Sequence, residues 1–201
     1  MLTHAITEYK EIIMLGKVFK KDGINLIYGE SGSGKTVSTI KALNEDGIIP
    51  ILLDFDNNLN PDKLGIKYIH IDGLKAMSAL TENAATAISD SVIIIDTWQL
   101  FVTNGYGIAD AKKLQQHNNT IIIIAHNKDI ATKTDIPDMD PKIVNHLDSK
   151  LYLEYDKGST TKTNPRPEGY NLVVKKLRGY QGSRTIQSWM REPSKIDKLI
   201  K

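Results

Sequence analysis

The chain has 201 residues, with 26 Lys and Arg against 24 Asp and Glu, and no cysteine. That length suits one domain with a proper core. The composition excludes a disulfide framework, a thiolate metal site and a thiol nucleophile, and no run reaches the roughly 18 apolar residues of a membrane-spanning helix.

Met1-Leu2-Thr3-His4 lacks the basic start of a signal peptide, so a cytoplasmic protein is expected. Thr3 to Leu15 reads as an amphipathic helix, with Thr3 as N-cap and Ile6, Tyr9 and Ile13 on one face. Lys20-Lys21-Asp22-Gly23 signals a turn, and Ile24 to Tyr28 a buried strand.

The next eight residues, Gly29-Glu30-Ser31-Gly32-Ser33-Gly34-Lys35-Thr36, fit the phosphate-binding pattern G-x-x-x-x-G-K-[S/T] without a mismatch. Glycines let such a backbone wrap closely and turn its N–H groups toward an anion. Lys35 is expected on the β- and γ-phosphates and Thr36 on Mg²⁺, at the positive end of a helix running from Thr36 to Leu43. A strand before and a helix after are the context that makes the match specific, so a nucleoside triphosphate is the expected ligand.

Ile48 to Asp56 reads as a second buried strand, Lys67 to Asp72 as an alternating one, and Gly73 to about Ile88 as helical. Val92-Ile93-Ile94-Ile95-Asp96 is an apolar run closed by an acid, the expected second holder of Mg²⁺. Ile108 to about Gln116 is helical in pattern, and Thr120 to Asn127 is another buried strand with a polar end. Strands this apolar are covered on both faces, as in a parallel sheet between helices.

Two further polar strand ends invite a chemical role. Asp54 and Asp56 either cap a turn or orient an attacking water, and Asp56 is preferred for the second role. His126 either caps its strand or senses the γ-phosphate.

Asn127 to Asp140 is polar and contains Pro137, and is expected to be a long mobile loop before a short helix at Lys142 to Leu147. Lys150 to Tyr155, Tyr170 to Leu177 and Arg184 to Trp189 read as strands, the last two flanking the turn Gly179-Tyr180-Gln181-Gly182. The expected build is an N-terminal helix and linker (residues 1–22), a nucleotide-binding α/β core (23–150) and a C-terminal antiparallel β extension (151–201). Charge is uneven along it: residues 157–201 hold 11 Lys and Arg against 3 Asp and Glu. A basic segment of this kind is either a solvated face or meets phosphates. Lys176 and Arg178, two residues apart, are its candidates for a neighbouring subunit's ATP.

The order of these parts resembles the RecA/RadA and DnaB-type core ATPases. Asp54-Phe55-Asp56-Asn57-Asn58-Leu59-Asn60-Pro61 is similar to the RecA segment carrying the catalytic glutamate, which puts Asp56 on that residue. Val173 to Gly182 resembles the K-x-R-x-G-x-x-G turn of hexameric helicases, where the lysine and arginine act on the next subunit's ATP, though here Gly179 follows Arg178 directly. The resemblance spans roughly residues 24–190, and is strongest to the short RecA-like proteins of phages that resemble single-strand annealing recombinases. It implies a RecA-like P-loop ATPase fold and ATP and Mg²⁺ as cofactors. It also implies a homo-oligomer, ring or filament, with ATP between subunits, and single-stranded DNA as partner. Phe101 to Gly107 and Lys128 to Asp140 would be its DNA-facing loops. A ring helicase motor and an ATP-dependent switch for a protein partner are the alternatives.

Overall fold

The computed structural model describes residues 18–57, 59, 65–81, 88–128, 136–155, 170–177 and 184–186. The expected helix at Thr3 to Leu15, the turn at Gly179 to Gly182 and the end of the last expected strand lie outside them, as does Arg178. In chain order the elements are β1 (Ile24–Gly29), α1 (Lys35–Glu45), β2 (Ile51–Asp54), β3 (Ile69–Asp72) and α2 (Gly73–Thr81). They continue with β4 (Val92–Asp96), α3 (Trp98–Thr103), α4 (Ile108–Gln115), β5 (Thr120–His126), α5 (Pro141–His146), β6 (Ser149–Tyr155), β7 (Tyr170–Leu177) and β8 (Arg184–Ile186).

The eight strands form one sheet in the order β3-β2-β4-β5-β1-β6-β7-β8. The first six in that order are parallel, and β7 and β8 are added antiparallel. The antiparallel part thus begins one strand later than the sequence suggested. β6 pairs in parallel with β1, so residue 150 falls inside a strand of the parallel sheet rather than at its border. A strand's partner is a long-range property, and the pattern of β6 alone is compatible with either pairing.

Alternation within the apolar runs explains why the sequence shows no polar face. Ile122 and Ile124 of β5 pack with Ile40 and Leu43 of α1, while Ile121 and Ile123 pack on the other face with Phe101 of α3 and Leu114 of α4. Successive side chains point to opposite faces, so a sheet covered on both sides needs an apolar residue at every position. Each such fully buried Ile or Leu contributes about 1.5–3 kcal/mol of transfer free energy.

Helix α3 occupies Trp98–Thr103 and so takes in the first part of Phe101 to Gly107, where the resemblance implies a loop. Trp98 and Phe101, three apart, fall on one face of a single helical stretch. Phe101 is fully buried against the rings of Phe55, Trp98 and Tyr106 at 5.4–5.5 Å, Tyr106 standing in the turn after the helix. The residues of this stretch that remain in a turn are Asn104–Gly107, with Gly105 at φ 87°.

Two buried asparagines secure the end of the sheet opposite the phosphate loop. Asn25 donates through Nδ2 to the carbonyls of Lys20 (3.0 Å) and Ile121 (3.2 Å), and its Oδ1 accepts from Lys20 N–H and from Ser149 Oγ, both at 2.7 Å. It therefore joins β1 to the starts of β5 and β6. Asn119 donates to the carbonyls of Ile88, Leu114 and Gln116 and accepts from Ser91 N–H at 3.0 Å, tying the start of β4 to that of β5. Replacing Asn25 by Ala leaves several buried groups without partners, so the variant is expected to lose about 2–4 kcal/mol of unfolding free energy. A urea titration checks it; a loss under about 1 kcal/mol would mean that these bonds carry little of the stability.

Candidate functional site

The phosphate-loop sequence sits between β1 and α1, where the expected strand and helix occur. Its glycines meet different demands. A Cβ on Gly29 would stand 2.5 Å from the carbonyl oxygen of Leu153 on β6, so the strand end has room only for hydrogen. Gly32 and Gly34 hold φ of 71° and 75°, the left-handed region that favours glycine. Gly34 is also the N-cap of α1 and brings no side chain to cap it, so the first N–H groups of an 11-residue helix are left for another acceptor.

Lys35 is 5% exposed, and its Nζ donates to the carbonyls of Glu30 (2.7 Å) and Gly29 (3.2 Å) and to Ser33 Oγ (3.4 Å). Burial lowers its pKa to about 8, against the pull of Asp96 and Glu30. It is therefore cationic at pH 7 and held at the loop.

Thr36 Oγ1 donates to Asp96 Oδ2 at 2.6 Å, joining the start of α1 to the end of β4 across the intervening β5. Asp96 is 7% exposed, and burial raises its pKa to about 6, with the Thr36 bond and Lys35 opposing and Asp54 and Asp56 adding to the rise. The Asp96–Thr97 peptide is cis.

These groups open into one cavity of about 360 Å³. Its lining includes Ser31, Gly32, Gly34, Lys35, Thr36, Asp56, Asp96, Thr97, Ile124 and His126. The structure thus brings together the loop, Asp96, Asp56 and His126. Asp54 is not in the lining. It is 1% exposed and accepts at Oδ1 from the N–H groups of Asp56 (3.0 Å) and Asn57 (2.8 Å). The capping role thus falls to Asp54, and Asp56 is the acid left facing the cavity.

His126 is half-buried, and its Nδ1 has no hydrogen-bond partner among the described residues. Burial first, and then Lys35, lowers its pKa, so the ring is neutral at pH 7. Sequence reasoning missed what surrounds it. Gln99 of α3 accepts from His126 N–H at 3.4 Å and donates to the Asp138 carbonyl at 3.1 Å. Asp138 N–H in turn donates to the His126 carbonyl at 2.8 Å, and Lys128 N–H to Ile136 at 2.9 Å. The segment leaving the sheet at His126 thus returns beside it. Residues 129–135 lie outside the described ones.

The donor chemistry fits a magnesium–nucleotide. A hydroxyl and a carboxylate are hard oxygen ligands, and Mg²⁺ is commonly held by one or two such groups together with substrate phosphates. Among the described residues no cluster of three His, Asp or Glu could hold a metal by itself. The orphaned Nδ1 of His126 offers a further polar contact inside the cavity.

No protein-family model matches the chain, and no curated protein does. Among solved structures the chain is similar to a crystal structure titled as that of the RadB recombinase, at 15% identity and a TM-score of 0.59, with 84% of this chain and 87% of that chain covered. At that identity the likeness is one of fold, and the fold is a RecA-like α/β fold.

An acid whose folded-state pKa lies above its unfolded value penalises the fold when charged. For Asp96 the penalty is full above about 6 and absent below the ordinary 3.8. Asp96→Asn is therefore expected to stabilise the nucleotide-free protein by about 1–3 kcal/mol near neutral pH. The gain should shrink as pH falls toward 4, and the Mg²⁺-dependent part of nucleotide affinity should be lost. Denaturant titrations at several pH values, with nucleotide binding measured with and without Mg²⁺, check both halves. A variant less stable than the parent near neutral pH would contradict the assigned burial cost.

Proposed function

We propose that this protein is a RecA-like ATPase that acts on single-stranded DNA in recombination or annealing, with ATP held between subunits. The observation that carries the reading is the convergence of the phosphate loop, Thr36–Asp96, Asp56 and His126 on one cavity. The similar solved structure is that of a protein named as a recombinase, which is consistent with the reading.

In this reading the loop N–H groups and the start of α1 bind the phosphates, and Lys35 leaves its carbonyl partners to neutralise them. Thr36 and Asp96 hold Mg²⁺, which would supply Lewis-acid stabilisation of the charge that develops on the phosphate oxygens. Asp56 orients a water against the γ-phosphorus and takes up its proton as the P–O bond forms. The bond from the γ-phosphorus to the bridging oxygen breaks, leaving ADP and phosphate. His126, neutral and next to the returning segment, couples the γ-phosphate position to residues 128–138 through its backbone bonds to Gln99 and Asp138. That segment is not basic, so DNA contact there would rest on backbone amides and hydroxyls more than on charge.

The strand register supports a shared site. β7 starts beside Tyr155 and ends with Leu177 opposite Ser149, running from the phosphate-loop end of the sheet to the other end. Lys176 pairs with Lys150, and Lys150 with Leu26, three residues before Gly29. That is about 10 Å of strand away from the loop, and Arg178 follows Leu177 in the chain. Such an arrangement disfavours action on the same subunit's ATP and suits a head-to-tail neighbour.

ATP hydrolysis measured with and without single-stranded DNA over a range of protein concentrations tests the reading. Stimulation by DNA and activity per subunit rising with concentration are expected. Activity indifferent to DNA would favour the protein-partner switch, and strand unwinding by one defined ring would favour the helicase motor. Arg178→Ala should abolish hydrolysis while leaving ATP binding to the isolated subunit intact, with partial recovery on mixing with Lys35→Ala. No recovery at any ratio, with assembly intact, would remove the trans role of Lys176 and Arg178.

A further inference from the structure

Behind the cavity stands a second carboxylate that holds the first in place. Asp54 ends β2 and uses both oxygens. Oδ1 accepts from the N–H groups of Asp56 and Asn57, and Oδ2 accepts from Nε2–H of His70 at 3.1 Å. The turn so held places Asn57 at φ 53°, in the left-handed region that Asn adopts more readily than most residues. Phe55, between the two acids, donates its N–H to the Asp96 carbonyl at 2.7 Å. The backbone carrying Asp56 is thus fixed at two points, to the end of β4 and to Asp54.

His70 is the part of this network that no motif accounts for. It lies on the edge strand β3, its side chain is 43% exposed, and its ring meets Tyr68 at 6.3 Å. A half-exposed histidine contributes little to the core. A carboxylate buried to 1% exposure, however, needs donors on both oxygens, and on Oδ2 the donor is His70. Without it Oδ2 would be buried and unsatisfied, and the carboxylate would lose the contact that fixes the orientation in which Oδ1 holds the turn.

We propose that His70 is a positioning residue for hydrolysis: its bond to Asp54 Oδ2 locks the carboxylate whose other oxygen sets the turn that presents Asp56 to the cavity. This rests on the ATPase reading above and on Asp56 as the group that orients water. A displacement of about 1 Å in such a group can cost up to 10²-fold in rate.

The test is steady-state ATP hydrolysis by the full chain with three variants. His70→Phe keeps the ring and removes the donor, and should lower kcat about tenfold or more while KM and ATP affinity stay within about twofold. His70→Gln brings an amide N–H near the place of Nε2 and should keep most of the rate. In an Asp56→Asn background, His70→Phe should cause no further loss, because its effect passes through Asp56. Should the Phe variant melt at lower temperature, His70→Asn, whose donor is too short to reach, takes its place with the same expected loss. Unchanged kcat in the donor-less variant, equal loss in His70→Gln, or a full additional loss on top of Asp56→Asn would each overturn the proposal. A parent protein that hydrolyses no ATP removes the ATPase reading and this inference together; a hydrolysing parent with an indifferent His70 removes the inference alone.

Discussion

Parallel pairing sets Gly29 beside His126, Ile124 beside Asp96, and Asp96 beside Asp54 along one edge of the sheet. In a parallel sheet every strand delivers its carboxyl end to the same edge, so residues far apart in the chain arrive in a row. The cavity opens over that row and the loop that follows β1, with Asp96, Ile124 and His126 of the row in its lining. A slip of one residue in any of these strands would turn its terminal polar group to the opposite face. Register is therefore the constraint on which the chemistry depends. It is held at the far edge by Asn25 and Asn119, and along its length by burial of both faces.

The electrostatics of the row point to one kind of ligand. Lys35 faces Asp96, with Asp54 and Asp56 close enough to raise the Asp96 pKa further. Three carboxylates against one ammonium would repel a bare triphosphate. A divalent cation reverses that balance, and it has a hydroxyl and a carboxylate ready at 2.6 Å from each other. On the proposed function, metal and nucleotide would complete each other: among the described residues the Thr36–Asp96 pair would need phosphate oxygens to fill a metal's ligand sphere, and the phosphates would gain the metal's charge beside that of Lys35.

Much of this architecture was legible because it is local. The phosphate loop is a contiguous pattern, and the apolar runs of β1, β4 and β5 announce strands buried on both sides. The sequence reading also preferred Asp56 to Asp54 for the chemical role, and Asp56 is the one of the two that lines the cavity while Asp54 caps the turn. What was not legible depends on contacts across the chain. The Asp54–His70 bond spans 16 residues between neighbouring strands, and Gln99 reaches a segment 39 residues away. Helix α3 is short, and its aromatic side chains find their partners in Phe55 and Tyr106, so nothing in Trp98–Thr103 alone marks it. The pairing of β6 with β1 likewise has no signature within β6.

The network around Asp54 also bears on a departure in the sequence itself. The RecA segment that Asp54 to Pro61 resembles carries a catalytic glutamate, and in the proposed function Asp56, one methylene shorter, takes its place. A shorter side chain transfers the burden of placement to the backbone, because fewer rotatable bonds remain to correct an error. The backbone at Asp56 is correspondingly well determined: Asp54 accepts from the N–H groups of Asp56 and Asn57, Phe55 is tied to Asp96, and the Phe55 ring packs against Gly73, where a Cβ would come within 2.6 Å. Gly73 begins α2 directly after β3, the strand that carries His70. The edge of the sheet and the acid at its cavity are therefore joined through one set of contacts, and on the proposed role of Asp56 the precision that a longer side chain would obtain from its own reach would come from the hydrogen bonds behind it.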